Sequence, residues 1–211
     1  MMDKKPFFSV IIPAHNSDGY IEKGLESIRG QSFKDYELIV VCDKCTDYTA
    51  EVVEEYKPEK LITTEYGLDG MARNAGIDAA EGEYLLFMDD DDWFLHEYVF
   101  EQLHAAIMQE KAKGVTVDII MFSFIWKGRG YCSQVSGHRI AVWSKCWRRE
   151  HVGDTRFPAV PHWSDVDFDN AMFAKDGHIG VWDMPMYYYN YLRPGSISWR
   201  KEQGEIEGRK E

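Results

Sequence analysis

The 211-residue sequence has no apolar run approaching the twenty or so residues a membrane helix needs, and no basic run able to neutralise a nucleic-acid backbone. Asp and Glu number 36 against 24 Lys and Arg, a formal charge of −12, which argues against nucleic acid as a partner. The opening Met-Met-Asp-Lys-Lys-Pro lacks the apolar centre of a secretory signal, so the cytoplasm is the expected location. Cysteine is scarce at four residues, and only Cys42 and Cys45 lie close in sequence. Their placement, after a strand-like run and before a helix-like one, is that of a redox pair. A zinc site would need a second close pair, which Cys132 and Cys146 do not make. The alternative is two reduced thiols lining a pocket. No internal repeat or low-complexity linker is present, and the length suits one domain with a real core.

What is present alternates. Apolar, β-branched runs at 7–13, 36–41, 61–64 and 84–88 are each followed by a helix-like stretch, the first reaching Arg29 from a cap at Ser17 or Asp18, the next two over 46–56 and 69–80. This rhythm predicts βαβ units, a parallel sheet with helices on both faces and a Rossmann-like nucleotide-binding layer. A helix over 96–113 and a strand over 117–124 follow. Gly128, Gly130 and Gly137 then punctuate a hairpin or edge-strand region, before a helix over 164–175, a strand over 178–191 and a charged tail expected to fray. Residues 1–200 therefore read as one domain, with a nucleotide half to about residue 95 and an acceptor half from 96, and 201–211 as a polar tail. Short edge strands in the second half would make a homodimer if they paired with a second copy.

Asp89, Asp90, Asp91 and Asp92 stand directly behind the fourth apolar run, where a parallel sheet of this kind binds its ligands. Four adjacent carboxylates repel unless a cation shares them, and on an extended segment Asp89 and Asp91 project to one side. Mg²⁺ or Mn²⁺ on one or two of them keeps positions open for phosphate oxygens, which suits a nucleotide diphosphate. Pro13-Ala14-His15-Asn16 is not the Gly-rich loop of a nucleotidyltransferase, and a phosphatase using an Asp nucleophile would carry its acidic motif after the first strand.

In order, these segments resemble the family 2 glycosyltransferases of GT-A fold over nearly the whole chain. Val10-Ile11-Ile12-Pro13-Ala14-His15-Asn16 is similar to the family's first strand and turn, with Leu25, Ser27 and Gln31 matching the next helix. The segment from Glu37 to Asp47 resembles the strand ending in two aspartates, although Cys42, Lys44 and Cys45 depart from the pattern. Gly70-Met71-Ala72-Arg73-Asn74-Ala75-Gly76 is similar to the Ala-Arg-Asn-x-Gly helix, and the aspartate run to the Asp-x-Asp motif. Trp163-Ser164-Asp165-Val166-Asp167-Phe168 resembles the Glu-Asp-x-x-Phe segment, with Ser164 where a glutamate is usual. Segments 142–149, Arg156-Phe157 and 189–198 also look like family segments.

The resemblance implies a single GT-A α/β domain with a mostly parallel central sheet. It also implies an inverting, metal-dependent sugar transferase acting from a nucleotide diphosphate donor, UDP-sugar favoured, to a hydroxyl of a glycan, lipid-linked or other acceptor. It places Pro13, His15, Asn16, Asp43, Arg73, Asp89 and Asp90 on the donor, with Asp43 on the base and Asp89 near the ribose. Asp91 falls on the Mn²⁺ or Mg²⁺, and Asp165, or Asp167 in its stead, on the acceptor hydroxyl as base. Arg193 and Ser196 fall on a loop able to close over the phosphates. Each has a structural alternative: a helix cap for Asp43 or Asp47, an internal ion pair for Arg73, an exposed turn for the 193–196 loop, core packing for Trp143, Trp147, Trp163 and Tyr187 to Tyr189, and surface positions for His162 and His178. A catalytically impaired nucleotide- or glycan-binding scaffold is the non-enzymatic reading.

Overall fold

The computed structural model describes residues 5–134 and 141–206; Gly137 and the Glu207-Gly208-Arg209 part of the tail lie outside them. Strands β1 (Phe8–Ala14), β2 (Tyr36–Asp43), β3 (Lys60–Thr64) and β4 (Tyr84–Phe87) pair in parallel in the order β3-β2-β1-β4. Every residue of β1 and β4 is buried, as continuous apolar runs demand of strands covered on both faces. Helices α1 (Ile21–Arg29), α2 (Thr49–Glu55) and α3 (Asp69–Ala79) supply the crossovers. The sheet then continues past β4 through β8 (Lys145–Arg148), β6 (Ile119–Trp126), β9 (Ile179–Tyr189) and β5 (Trp93–Phe94), while β7 (Gly130–Cys132) forms the expected hairpin with β6. β6 and β9 are parallel; β8 runs antiparallel to both its neighbours.

Two apolar layers sandwich this sheet. Leu25 and Ile28 of α1 with Phe100 and Leu103 of α4 (Val99–Ala112) fill one face. Ala72 and Ile77 of α3 with Phe168 and Met172 of α6 (Ser164–Phe173) fill the other. Helix α3 lies so close to β1 that a Cβ on Gly76 would stand 2.3 Å from Ile11 Cγ2. Gly76→Ala is therefore expected to cost about 1–3 kcal/mol by overpacking, against the roughly 1 kcal/mol of helix propensity alanine adds, giving a lower denaturant midpoint at unchanged m-value.

Several boundaries differ from the sequence reading. Neither Ser17 nor Asp18 caps α1 through its side chain; Ser17 is buried, its N–H donates to Thr49 Oγ1 (2.7 Å), and a turn delays the helix to Ile21. Asp47 holds the turn before α2, accepting from Thr49 N (3.0 Å) and Asp18 N (3.2 Å), so that helix starts at Thr49. Helix α7 (Ile197–Glu202), capped by Ser196, runs two residues into the 201–211 tail. The short helix α5 (Arg149–Val152) was not anticipated. Among the described residues no helix is long and apolar enough to cross a membrane.

Candidate active site

The carboxyl ends of β1, β2 and β4 open into a cleft of about 620 Å³, lined by Pro13, His15, Asn16, Asp43, Arg73 and the run from Asp89 to Asp91. Every donor-side residue named from the sequence therefore meets in one place, where the topology puts ligands. A larger cavity of about 760 Å³ opens at the amino ends of the same strands, between Lys5, Glu83 and Arg149. Its charges are of both signs, and none of the sequence-derived site residues reaches it.

The turns that build the cleft hold one another. Asn16 adopts φ 49°, a left-handed conformation asparagine tolerates, and its Oδ1 accepts from Thr46 N (2.8 Å). The His15 N–H donates to Asp90 Oδ2 (3.0 Å), and His15 Nδ1 lies 2.7 Å from the Asp43 carbonyl oxygen. The Asp43 carboxylate caps no helix; it accepts from Thr64 Oγ1 (3.0 Å), Tyr66 N (2.7 Å) and Leu68 N (3.0 Å), leaving about one of its four acceptor positions for a ligand. Cys42 and Cys45 are free thiols. Burial pushes Cys42 up to about 12 and raises Cys45, so neither has the thiolate character of a redox pair.

The aspartate run does not stay extended. Asp92 N donates to Asp89 O (3.2 Å), and the resulting turn brings together Asp90 and Asp91, where an extended chain would have aligned Asp89 with Asp91. Arg193 spans that adjacent pair, 2.7 Å from Asp91 Oδ2 and 3.5 Å from Asp90 Oδ1, with its guanidinium over the Tyr20 ring at 4.6 Å. Asp89 pairs instead with Arg73 (2.6 Å). Asp92 points away from the cleft, accepting from Tyr187 Oη (2.7 Å) and Asn190 N (2.7 Å). Burial, with repulsion from neighbouring aspartates, raises Asp90 and Asp92 and pushes Asp91 up to about 7, although Arg193 opposes the shift at Asp90 and Asp91.

Asp165 sits in the first turn of α6, within electrostatic reach of Arg73, Asp89 and Asp69. Burial raises its carboxyl, Arg73 lowers it, Asp89 raises it, and the net direction is upward. Asp167 is two residues on, about 200° round the helix, so the two aspartates occupy different faces. Trp163, the N-cap, takes φ 69°, a strained value for an aromatic residue, next to this carboxylate. Asn74 ties α3 to this wall through both backbone groups of Phe157 (2.8 and 2.9 Å), whose ring stacks on Phe168 of α6 at 4.1 Å.

A sequence profile of Glycosyl transferase family 2 matches residues 9–176. The chain belongs to that family. Among its relatives, EpsH of Bacillus subtilis (strain 168) is 36% identical over 218 residues, covering 87% of this chain and 60% of EpsH. Glycosyltransferase GlyA of Streptococcus pneumoniae serotype 4 is 35% identical, covering 90% of this chain but 31% of GlyA, so the chain spans well under two thirds of both relatives. The solved structure of residues 1–349 of Staphylococcus aureus TarS in complex with UDP-GlcNAc superposes with a TM-score of 0.79 at 27% identity, over 91% of this chain and 60% of that one. These neighbours bear out the single α/β GT-A domain read from the sequence.

Set against family 2 membership, the other sequence readings divide. Trp143, Trp147 and Tyr187 are core, with Trp143 stacked on Tyr187 at 4.6 Å. His178 lies at the start of β9 on a bond from its N–H to Asp118 and serves no site, whereas His162 lines the cleft with a buried, unpartnered Nδ1. The Arg73 ion pairs are internal, to Asp69 and Asp89. Sequence reasoning did not find the role of Asp69, whose one local signal was its i, i+4 spacing to Arg73.

Proposed function

We propose that this family 2 chain transfers a sugar from a nucleotide diphosphate donor to an acceptor hydroxyl with inversion, using Asp165 as the base. The observation that carries the reading is one buried cation shared by acids of both sets: Arg73 is paired to Asp89 (2.6 Å), at the start of the aspartate turn, and lies within electrostatic reach of Asp165. Inversion needs a base on the acceptor face of the sugar and a stabilised leaving group behind it. The Asp165 carboxylate takes the acceptor hydroxyl proton as that oxygen bonds to the anomeric carbon and the bond to the diphosphate breaks. UDP-sugar is the favoured donor, supported by the TarS relative solved with UDP-GlcNAc. A glycan, lipid-linked or similar hydroxyl is the acceptor.

The residues fit a divalent ion. Asp90 and Asp91 are raised by burial, with repulsion from neighbouring aspartates, even with Arg193 across them, so the pair has charge left for a cation to neutralise. An ion held by one or two of these carboxylates would take its remaining ligands from phosphate and water. Asp91 would hold Mn²⁺ or Mg²⁺, which when bound supplies charge neutralisation for the departing diphosphate. The test is calorimetric binding of UDP-, GDP- and TDP-sugars with and without Mn²⁺. One donor is expected to bind in a metal-dependent way to the wild type and to lose that binding in Asp91→Ala. Absence of binding by any nucleotide sugar under any metal would sink the reading and favour a scaffold.

A further inference from the structure

Ser164 stands where the resemblance noted above has a glutamate, yet an acid does reach it. Ser164 is fully buried, and its Oγ donates to Asp69 Oδ1 (3.3 Å) from a helix 95 residues away in sequence. The approach is tight: a Cβ on Gly70 would stand 2.8 Å from that same Oγ. Asp69 Oδ1 also accepts from Gly70 N (2.7 Å), and Oδ2 accepts from Arg73 Nη1 (2.6 Å), whose other Nη donates to Asp89. One carboxylate thus touches the helix that bears Asp165, and the arginine that holds the donor-side acid. Arg73 is buried, is paired to both Asp69 and Asp89, and feels Asp165 as well, so three carboxylates share this one guanidinium.

Resting on the transferase reading above, we infer that Asp69 is a positioning residue that takes over the carboxylate the family carries at position 164, locking the base-bearing turn of α6 to Arg73. The acid stands on α3, and at position 164 a serine is small enough to pass Gly70. A glutamate at 164 with Asp69 still present sets two negative groups beside one guanidinium; a serine at 69 with Ser164 present removes the acid from Arg73 Nη1 and breaks the tie between α3 and the first turn of α6.

The test is a residue swap, read as kcat and donor KM separately. Asp69→Ser and Ser164→Glu are each expected to lower kcat by about 100-fold, as a misplacement of about 1 Å at the reacting groups does, with a smaller change in donor KM. The double variant Asp69→Ser/Ser164→Glu, which again holds one carboxylate, is expected to recover at least about ten-fold of that loss, and recovery also excludes misfolding as the cause. Wild-type kcat in Asp69→Ser, or a double variant no faster than the slower single, overturns the inference alone. No transfer by the wild type with any donor overturns the transferase reading, and the inference with it.

Discussion

Asp165→Asn lowers kcat by roughly 10²–10⁴-fold, the usual cost of removing a general base, while donor affinity stays near that of the wild type. The amide keeps the size of the carboxylate and the helix it stands on, so packing of α6 is preserved and only proton acceptance is lost. The pH dependence gives the same residue a second signature. A base acts when ionised; burial and Asp89 disfavour the ionised form, and Arg73 opposes them without reversing the shift. The wild-type kcat therefore falls as pH is lowered through a midpoint above the ordinary aspartate value near 4, and Asp165→Asn lacks that acid limb. Single-turnover rates against pH, with isothermal titration of UDP, separate the outcomes. An Asn variant that turns over like the wild type removes Asp165 as base.

Lys145→Met lowers stability by about 3–5 kcal/mol, a fall of roughly 10 °C in Tm for a chain of this size. Lys145 has no exposed surface, and its Nζ donates to Asp169 Oδ2 (2.5 Å) and the Ala141 carbonyl (2.7 Å). Removing the ammonium takes a buried cation from a carboxylate that is itself buried, and part of the desolvation that the pair shared falls on Asp169. Lys145→Met/Asp169→Leu is expected to regain part of the loss, because both charges of the pair are removed together. Denaturant titrations of both variants measure this. A single variant as stable as the wild type would show that the ion pair contributes nothing. Asp169 is one helical turn beyond Asp165, so the same pair ties the helix that carries Asp165 to β8.

The difference between what was legible and what was not follows contact distance along the chain. β1 to β4 and the first three helices show in the sequence because each buries an apolar run with its own period, and the donor-side residues show because the topology delivers them to one edge. β5 and β8, of two and four residues, are too short to carry a period and exist through pairing with β9 and with β4 and β6. Asp91 and Asp165 stood out by motif spacing. Lys145 with Asp169 and Ser164 with Asp69 did not, since nothing local marks a lysine or serine destined for the interior. The acidic run was read as extended because nothing in four identical letters announces the turn from Asp89 to Asp92.

The two halves of the chain are stitched into a single sheet: β4 of the first pairs with β8 of the second, and β5 crosses the far side to pair with β9. The two halves read from the sequence thus share one hydrogen-bonded ladder, running from β3 to β5. Adjustment to a substrate falls instead to the segments that overhang its edge, around Tyr66 to Leu68, Pro161 to Trp163 and Asn190 to Ser196. Donor and acceptor preference can then be retuned by changing those three strips, on a platform that stays the same.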